Sequence, residues 1–341
     1  MKFDFKVLAV VPCLNEAAYI GGIIERLLLE TEDLDLHIAV VDGGSADETV
    51  RIVSELAARH PQVSLLENPR RIQSAALNLA MASLGSDVRY LIRIDAHAGY
   101  PAHYCRDLVE EAERTNADSV VVSMESVGHS RFEQIVASAQ NSLIGNGGSA
   151  HRNLAEGRWI DHGHHALMRA SAFLAVGGYD EGFSHNEDAE LDFRLTRAGF
   201  RIWLTGRVRI KYFPRSSLAS LFRQYFDYGR GRTRNSLKNR AIPRLRQIVP
   251  APLVPLVVLS IVPGMHWLSA GILLWATACI TYGFIIAFRT RRAWDSLSGL
   301  CAMVMHFAWS LGFWSEIVAQ TAGKFRSRVP PIDVGLKTRL P

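Results

Sequence analysis

Four cysteines in 341 residues, Cys13, Cys105, Cys279 and Cys301, make no CxxC pair. Their scatter excludes a disulfide framework and a cysteine zinc site, and fits a reducing compartment. No GxGxxG follows the first aliphatic run and no GxxxxGK[ST] occurs anywhere, so neither a dinucleotide fingerprint nor a P-loop is supported. The Gly-rich basic loop that a sugar-1-phosphate nucleotidylyltransferase would carry after its first strand is missing too. Strong repeats and low-complexity tracts are absent. The apolar run from Val7 to Val11 breaks at Pro12, Asn15 and Glu16, which reads as a strand rather than a signal peptide. Acids are scarce in one place. From Arg201 to Arg246, thirteen Lys and Arg accompany a single acid, Asp227, although the whole chain balances 38 basic against 33 acidic residues. Such asymmetry points to a surface that meets phosphate in a lipid head group or a ligand. Nucleic acid is not expected, because the basic run leads straight into apolar segments.

What is present is an alternation. Short aliphatic runs at residues 6–11, 37–41, 63–66, 89–94 and 119–123 are separated by helical patterns at about 17–31, 47–60, 72–84 and 102–116. Buried runs between amphipathic helices predict an α/β domain with a mostly parallel sheet covered on both faces. Ligands in such sheets bind beyond the carboxyl ends of the strands. After residue 246 the composition changes. Residues 248–262, 267–288 and 297–319 are almost free of charge, with Glu316 as the exception. A membrane-spanning helix needs roughly 20 apolar residues. The second and third segments reach that; the first is short and holds Pro250, Pro252 and Pro255. Arg289, Arg291 and Arg292 favour a cytoplasmic loop, whereas three spans would put Lys324, Arg326 and Arg328 outside, against the positive-inside rule. One segment is therefore a candidate to re-enter. The expected division is a catalytic domain at 1–213, a basic interfacial helical segment at 214–246, two to three transmembrane helices at 247–320 and a basic tail at 321–341.

Polar residues follow each strand. Pro12, Asn15 and Glu16 come directly after the first, and Asp42 with Gly43 and Gly44 after the second. An acid followed by two glycines lets backbone approach a ligand while the carboxylate accepts from a base or ribose. Ser45 and Asp47 fit a helix cap better. The fourth strand ends in Asp95-Ala96-His97, whose carboxylate and imidazole can grip a divalent ion bridging a diphosphate. Glu187 and Asp188 open a helical pattern, where acids complement the dipole and also can hold a base. The cluster His162, His164 and His165 lacks a ligand at zinc spacing; sugar contact and structural bonding stay open. Gly177, Gly178, Tyr179 and Asp180 read as turn geometry. Gln224, Arg230 and Arg232 suit diphosphate oxygens, and Arg234, Lys238, Arg240, Arg244 and Arg246 suit a collar for anionic lipid.

These segments, in order and spacing, resemble glycosyltransferase family 2 with its GT-A fold, over about residues 7–213. The apolar tail and the Asp-Ala-His variant are most similar to bacterial exopolysaccharide enzymes of the succinoglycan glucosyltransferase type. The resemblance implies nucleotide contact at Pro12, Asn15 and Glu16, a base- or ribose-holding acid at Asp42, and donor contact at Arg71, Asn78, Ala96, Gln224, Arg230 and Arg232. It implies Mg²⁺ or Mn²⁺ at Asp95 and His97, where the family usually has Asp-x-Asp. In the run from Asn68 to Asn78, Leu77 stands where the family has Arg, and Arg70 or Arg71 would supply that charge. Asp188 corresponds to the catalytic base, with Glu187, His164 and His165 at the sugar or acceptor. The activity implied is inverting transfer of glucose from UDP-glucose to a polyprenyl-diphosphate-linked oligosaccharide, at the cytoplasmic face of a bacterial inner membrane and among other polysaccharide-assembly proteins. The runner-up is transfer to a polyprenyl monophosphate, as in enzymes of the dolichol-phosphate-mannose type.

Overall fold

A computed structural model of the chain describes residues 3–148, 156–240 and 249–321. Arg244, Arg246 and the tail with Lys324, Arg326 and Arg328 lie outside them. The first half alternates as the sequence predicts: β1 (Lys6–Cys13), α1 (Ile20–Leu29), β2 (Asp35–Asp42), α2 (Thr49–Arg59), β3 (Val63–Glu67), α3 (Gln73–Leu84), β4 (Val88–Arg93), α4 (Tyr104–Thr115) and β5 (Ser119–Ser126). Then come α5 (Arg131–Gln140), α6 (Leu143–Asn146), β6 (Arg158–Ile160), β7 (His164–Arg169), α7 (Ala170–Ala175), α8 (Glu187–Arg197), β8 (Ile202–Tyr212) and α9 (Leu218–Asn239). The apolar region forms α10 (Leu253–Ser260), α11 (Ser269–Thr290) and α12 (Ser298–Thr321).

One eight-stranded sheet has the order β3-β2-β1-β4-β7-β5-β8-β6. Strands β1 to β4 are parallel, as are β5 and β8, while β7 runs antiparallel to both of its neighbours and β6 antiparallel to β8. Burial on both faces explains the unbroken aliphatic run of β1, whose Val7 to Val11 are all fully buried. Alternate side chains serve opposite layers. Val7, Ala9 and Val11 pack with Ile20, Ile24 and Leu108 of α1 and α4, whereas Leu8 and Val10 pack with Ala76, Ala80 and Leu191 of α3 and α8.

The antiparallel β7 is what the alternation did not foretell, and it has a consequence at the site. It begins at the end of the sheet where β4 finishes, since Ile92 pairs with Leu167 and Tyr90 with Arg169. His164 therefore sits at the same rim as the carboxyl ends of β1, β2 and β4.

A third cluster joins the apolar tail to the domain: Ile135, Val136 and Ala139 of α5 meet Leu221 of α9 and Cys301 and Met305 of α12. Two segments, His266–Thr290 and Ala293–Thr321, are long and apolar enough to cross a membrane, with mean hydropathies of 1.9 and 1.3. The expected first span is cut to the eight residues of α10.

Candidate active site

The rim is organised around one buried cation. Arg93 ends β4 and is buried, with 6% of its side chain exposed. A guanidinium in that position needs acids, because an unpaired buried charge is costly. Its Nε donates to Asp95 Oδ1 at 3.1 Å and its Nη1 to Asp188 Oδ1 at 2.8 Å; Glu187 Oε1 stands 3.8 Å from Nη1. Tyr179 adds its hydroxyl to Asp188 Oδ1 at 2.9 Å, and Gln73 Nε2 donates to Asp95 Oδ1 at 2.8 Å. His164 lies between the two carboxylates, Nε2 3.6 Å from Asp95 Oδ2 and Nδ1 3.6 Å from Asp188 Oδ2. Residues distant in sequence thus converge on one charged cluster.

Protonation follows from this arrangement. Burial works against the Asp95 carboxylate, but Arg93 and His164 outweigh it and hold the pKa below the usual value. Glu187 goes the other way: burial first, then the neighbouring Asp188 charge, push it up to about 7 against the pull of Arg93. Burial and Asp188 raise the Tyr179 phenol, which keeps it a hydrogen-bond donor. Asp188 sits in the first turn of α8 beside exposed helix N–H groups.

The second part of the rim lies two strands away, about 10 Å by strand spacing. Asp42 is almost fully buried at the end of β2. Its Oδ2 accepts from the backbone N–H of Gly44 (2.8 Å) and Ser45 (3.0 Å), and its Oδ1 from the Ser45 hydroxyl. Asn15, in the left-handed region at φ 57°, clasps this loop: its Oδ1 accepts from Ala46 N and its own N–H donates to Ser45 Oγ, both at 2.8 Å. The N-cap of α2 is Glu48 rather than Ser45 or Asp47; Asp47 accepts from Thr49 N and Ala17 N, so Ser45 and Asp47 brace the loop. Arg71, also at φ 57°, lays its guanidinium over Gly44, close enough that a Cβ there would lie 3.3 Å from Nη2. Arg70 pairs with Glu181 instead, so Arg71 is the arginine that serves the Asp42 loop. Pro12 precedes Cys13, whose thiol points to Asp42 and is pushed up to about 12 by burial and that carboxylate.

Several predicted contacts are placed otherwise. His97 places its Nδ1 2.8 Å from Glu16 Oε1, and its ring also acts electrostatically on Asp95. Among the described residues, no three His, Cys, Asp or Glu groups form a metal cage. The Ala96 methyl is buried in the core, which leaves only its backbone for a ligand. Asn78 is spent on the 178–181 turn: it accepts from Tyr179 N and donates to Tyr179 O and Glu181 Oε1, each at 2.9 Å. It thereby holds the turn that carries Tyr179, whose hydroxyl bonds Asp188. Gln224 is buried and its Nε2 donates to the hydroxyls of Tyr212 (2.6 Å) and Tyr228 (3.0 Å). Arg230 pairs with Glu316 of α12 at 3.1 Å. Arg234 and Lys238 are likewise committed, to Glu316 and Gly182 O and to Asp180 and Glu190, instead of waiting for lipid. His162 bonds Asp192 at 2.7 Å as a structural histidine. Arg232 lies on α9 and His165 on β7; the side chain of His165 lies outside the described residues.

A GT-A-like sheet with acids at its carboxyl rim defines a nucleotide-sugar enzyme, and comparison with known proteins agrees. The family model "Glycosyl transferase family 2" matches residues 8–177, and the chain belongs to that family of glycosyltransferases. It is similar to the succinoglycan biosynthesis protein ExoA of Rhizobium meliloti (strain 1021), 52% identical over 94% of this chain and 96% of that protein. It is 23% identical to a dolichyl N-acetyl-α-D-glucosaminyl phosphate 3-β-D-2,3-diacetamido-2,3-dideoxy-β-D-glucuronosyltransferase of Methanococcus voltae, over 64% of this chain and 70% of the other. Among solved structures, the mannosyltransferase PcManGT from Pyrobaculum calidifontis, in complex with GDP-Man and Mn²⁺, shares the fold with a TM-score of 0.54 at 20% identity, over 89% of this chain and 87% of that one.

Proposed function

We propose that the enzyme transfers a sugar, glucose from UDP-glucose, with inversion, onto a polyprenyl-diphosphate-linked oligosaccharide during assembly of a succinoglycan-type exopolysaccharide. The observation that carries the reading is the single cluster in which Arg93 binds both Asp95 and Asp188. It gives one carboxylate for the donor side and one for the acceptor side of the same pocket. The 52% identity to a succinoglycan biosynthesis protein supports the pathway, and the Mn²⁺ complex of the fold relative supports a divalent ion.

Asp42 and the backbone of the Gly43-Gly44 loop face the uridine, with Arg71 beside them. Asp95, with His97 nearby, would hold a Mg²⁺ or Mn²⁺ ion, since such ions need only one or two protein carboxylates. When bound, the ion neutralises the departing diphosphate. Asp188 takes the proton of the acceptor hydroxyl as that oxygen attacks the anomeric carbon, assistance typically worth about 10²–10⁴ in rate. Arg93 and the Tyr179 hydroxyl hold Asp188 Oδ1, leaving Oδ2 towards His164 and the cleft. Glu187, held near neutrality, lines the acceptor side.

Mass spectrometry of lipid-linked products, formed by membranes supplied with a panel of UDP-sugars and with either diphosphate-oligosaccharide or monophosphate lipids, tests it. Product on the diphosphate lipid alone supports the reading; a sugar placed only on the monophosphate lipid refutes it in favour of the dolichol-phosphate-mannose type.

A further inference from the structure

The last apolar helix does not stand apart from the catalytic domain. Along its whole length α12 lies on α5, α6 and α9. Near its start, Asp295 Oδ1 accepts from Ser138 Oγ of α5 at 3.1 Å. One turn further, Cys301 and Met305 pack with Ile135 and Leu221, and His306 Nε2 bonds Ile144 O of α6 at 2.8 Å. Further on, Gly312 and Gly229 let the backbones of α12 and α9 touch: a Cβ at either would collide with a carbonyl, of Phe226 and Trp309 respectively. At the far end Glu316, 1% exposed, binds both Arg230 and Arg234.

Helix α9 fixes what this contact means. Its other side serves the polar rim, since Tyr228 O accepts from Asn186 Nδ2 (3.0 Å), Arg234 Nη1 donates to Gly182 O (3.0 Å) and Lys238 binds Glu190. A helix carrying Arg223, Arg230, Arg232, Arg234 and Lys238 cannot enter hydrocarbon while bonded to the rim. As α12 packs on α9 from Cys301 to Glu316, the two helices are held together at the same level.

The other two helices leave and rejoin the chain on this same side. Ser310 and Trp314 of α12 both donate to Ala251 O at 2.8 Å, and Val254 N donates to Ser310 Oγ, so α10 starts on α12. The 293–297 turn returns α11 to α5. Between those anchors α10 has eight residues, roughly 12 Å at 1.5 Å per residue, against a core about 30 Å thick. Yet this pair carries the exposed apolar surface: Ile261, Trp267, Leu273, Leu274, Phe284 and Phe288 are 62–86% exposed. Arg289, Arg291 and Arg292 lie exposed where α11 returns, a rim suited to anionic head groups.

We propose that the chain enters an anionic bilayer from one face only, through a re-entrant α10–α11 hairpin, and that no described segment crosses it. The partner is the lipid leaflet itself, and the catalytic rim and both ends of the hairpin share one side.

Single exposed-cysteine reporters in the chain as it exists, whose four native cysteines are all buried, test this. Asp35→Cys marks the face of the catalytic domain, His266→Cys the hairpin tip, and Arg292→Cys and Thr321→Cys the two ends of α12. Each is exposed to a membrane-impermeant maleimide in sealed vesicles of both orientations. The expected result is labelling at 292 and 321 only in the orientation that labels 35, with no labelling at 266 from the opposite face, and resistance of the chain to alkaline carbonate. Labelling of 266, 292 or 321 from the opposite face, or release of the chain by carbonate, overturns the proposal. Transfer activity is read separately, so loss of the one leaves the other standing.

Discussion

Arg93 Nη1 lies 2.8 Å from Asp188 Oδ1 while its Nε lies 3.1 Å from Asp95 Oδ1. One guanidinium therefore sets the spacing between the donor-side and acceptor-side acids. A lysine carries the charge but not the fork. Arg93→Lys is expected to keep the fold and lose kcat by about ten- to a hundredfold, the range of about 1.5–3 kcal/mol for hydrogen bonds to charged groups. Arg93→Met strips the counter-charge from buried acids and is expected to cost about 3–5 kcal/mol of stability. Steady-state kinetics and thermal melts in detergent check both.

Glu187 supplies a pH signature. Its folded pKa of about 7 lies above the ordinary 4.5. Between those values the folded state binds the proton that the unfolded state has lost, so stability falls as pH rises through this window. The melting temperature is expected to decline from pH 5 to pH 8, and Glu187→Gln to reduce that slope. Equal slopes in the two proteins would contradict the assignment. Comparing variant with parent removes the contribution of other titrating groups.

The α9–α12 crossing gives a packing test. A side chain at Gly312 meets the Phe226 carbonyl, whereas one at Gly271 of α11 meets nothing within 4 Å. Gly312→Val is expected to lower stability by about 3 kcal/mol or more, since backbone cannot yield as a side chain can. Gly271→Ala is expected to be neutral or slightly stabilising. Thermal melts and protease resistance of the two variants decide it.

Much of this was legible beforehand, for physical reasons that differ by residue. The first five strands announce themselves because they are buried on both faces and hence continuously aliphatic. Asp42, Asp95 and Asp188 stand at or just beyond strand ends or at a helix start, positions that sequence shows without their partners. Arg93 escaped notice because it closes a buried strand and reads as its polar end; an arginine directly after Leu91 and Ile92 signals a hidden acid partner. Gln73 and Tyr179 were passed over as helix start and turn. Arg230 reads as a diphosphate contact and Arg234 and Lys238 as a lipid collar, because sequence does not show that Glu316, Asp180 and Glu190 come within reach. The hydropathy of residues 297–319 counts apolar content, and the same content serves a helix laid on a domain as well as one laid in lipid.

The central claim is that Asp188 removes the acceptor proton. Asp188→Asn preserves shape and the bond from Tyr179 while abolishing the base. Its kcat for transfer to the lipid-linked acceptor, measured with the KM for the UDP-sugar, is the direct measurement. The account predicts a fall in kcat of about 10²–10⁴ with little change in donor KM. Undiminished kcat in the folded variant would contradict it.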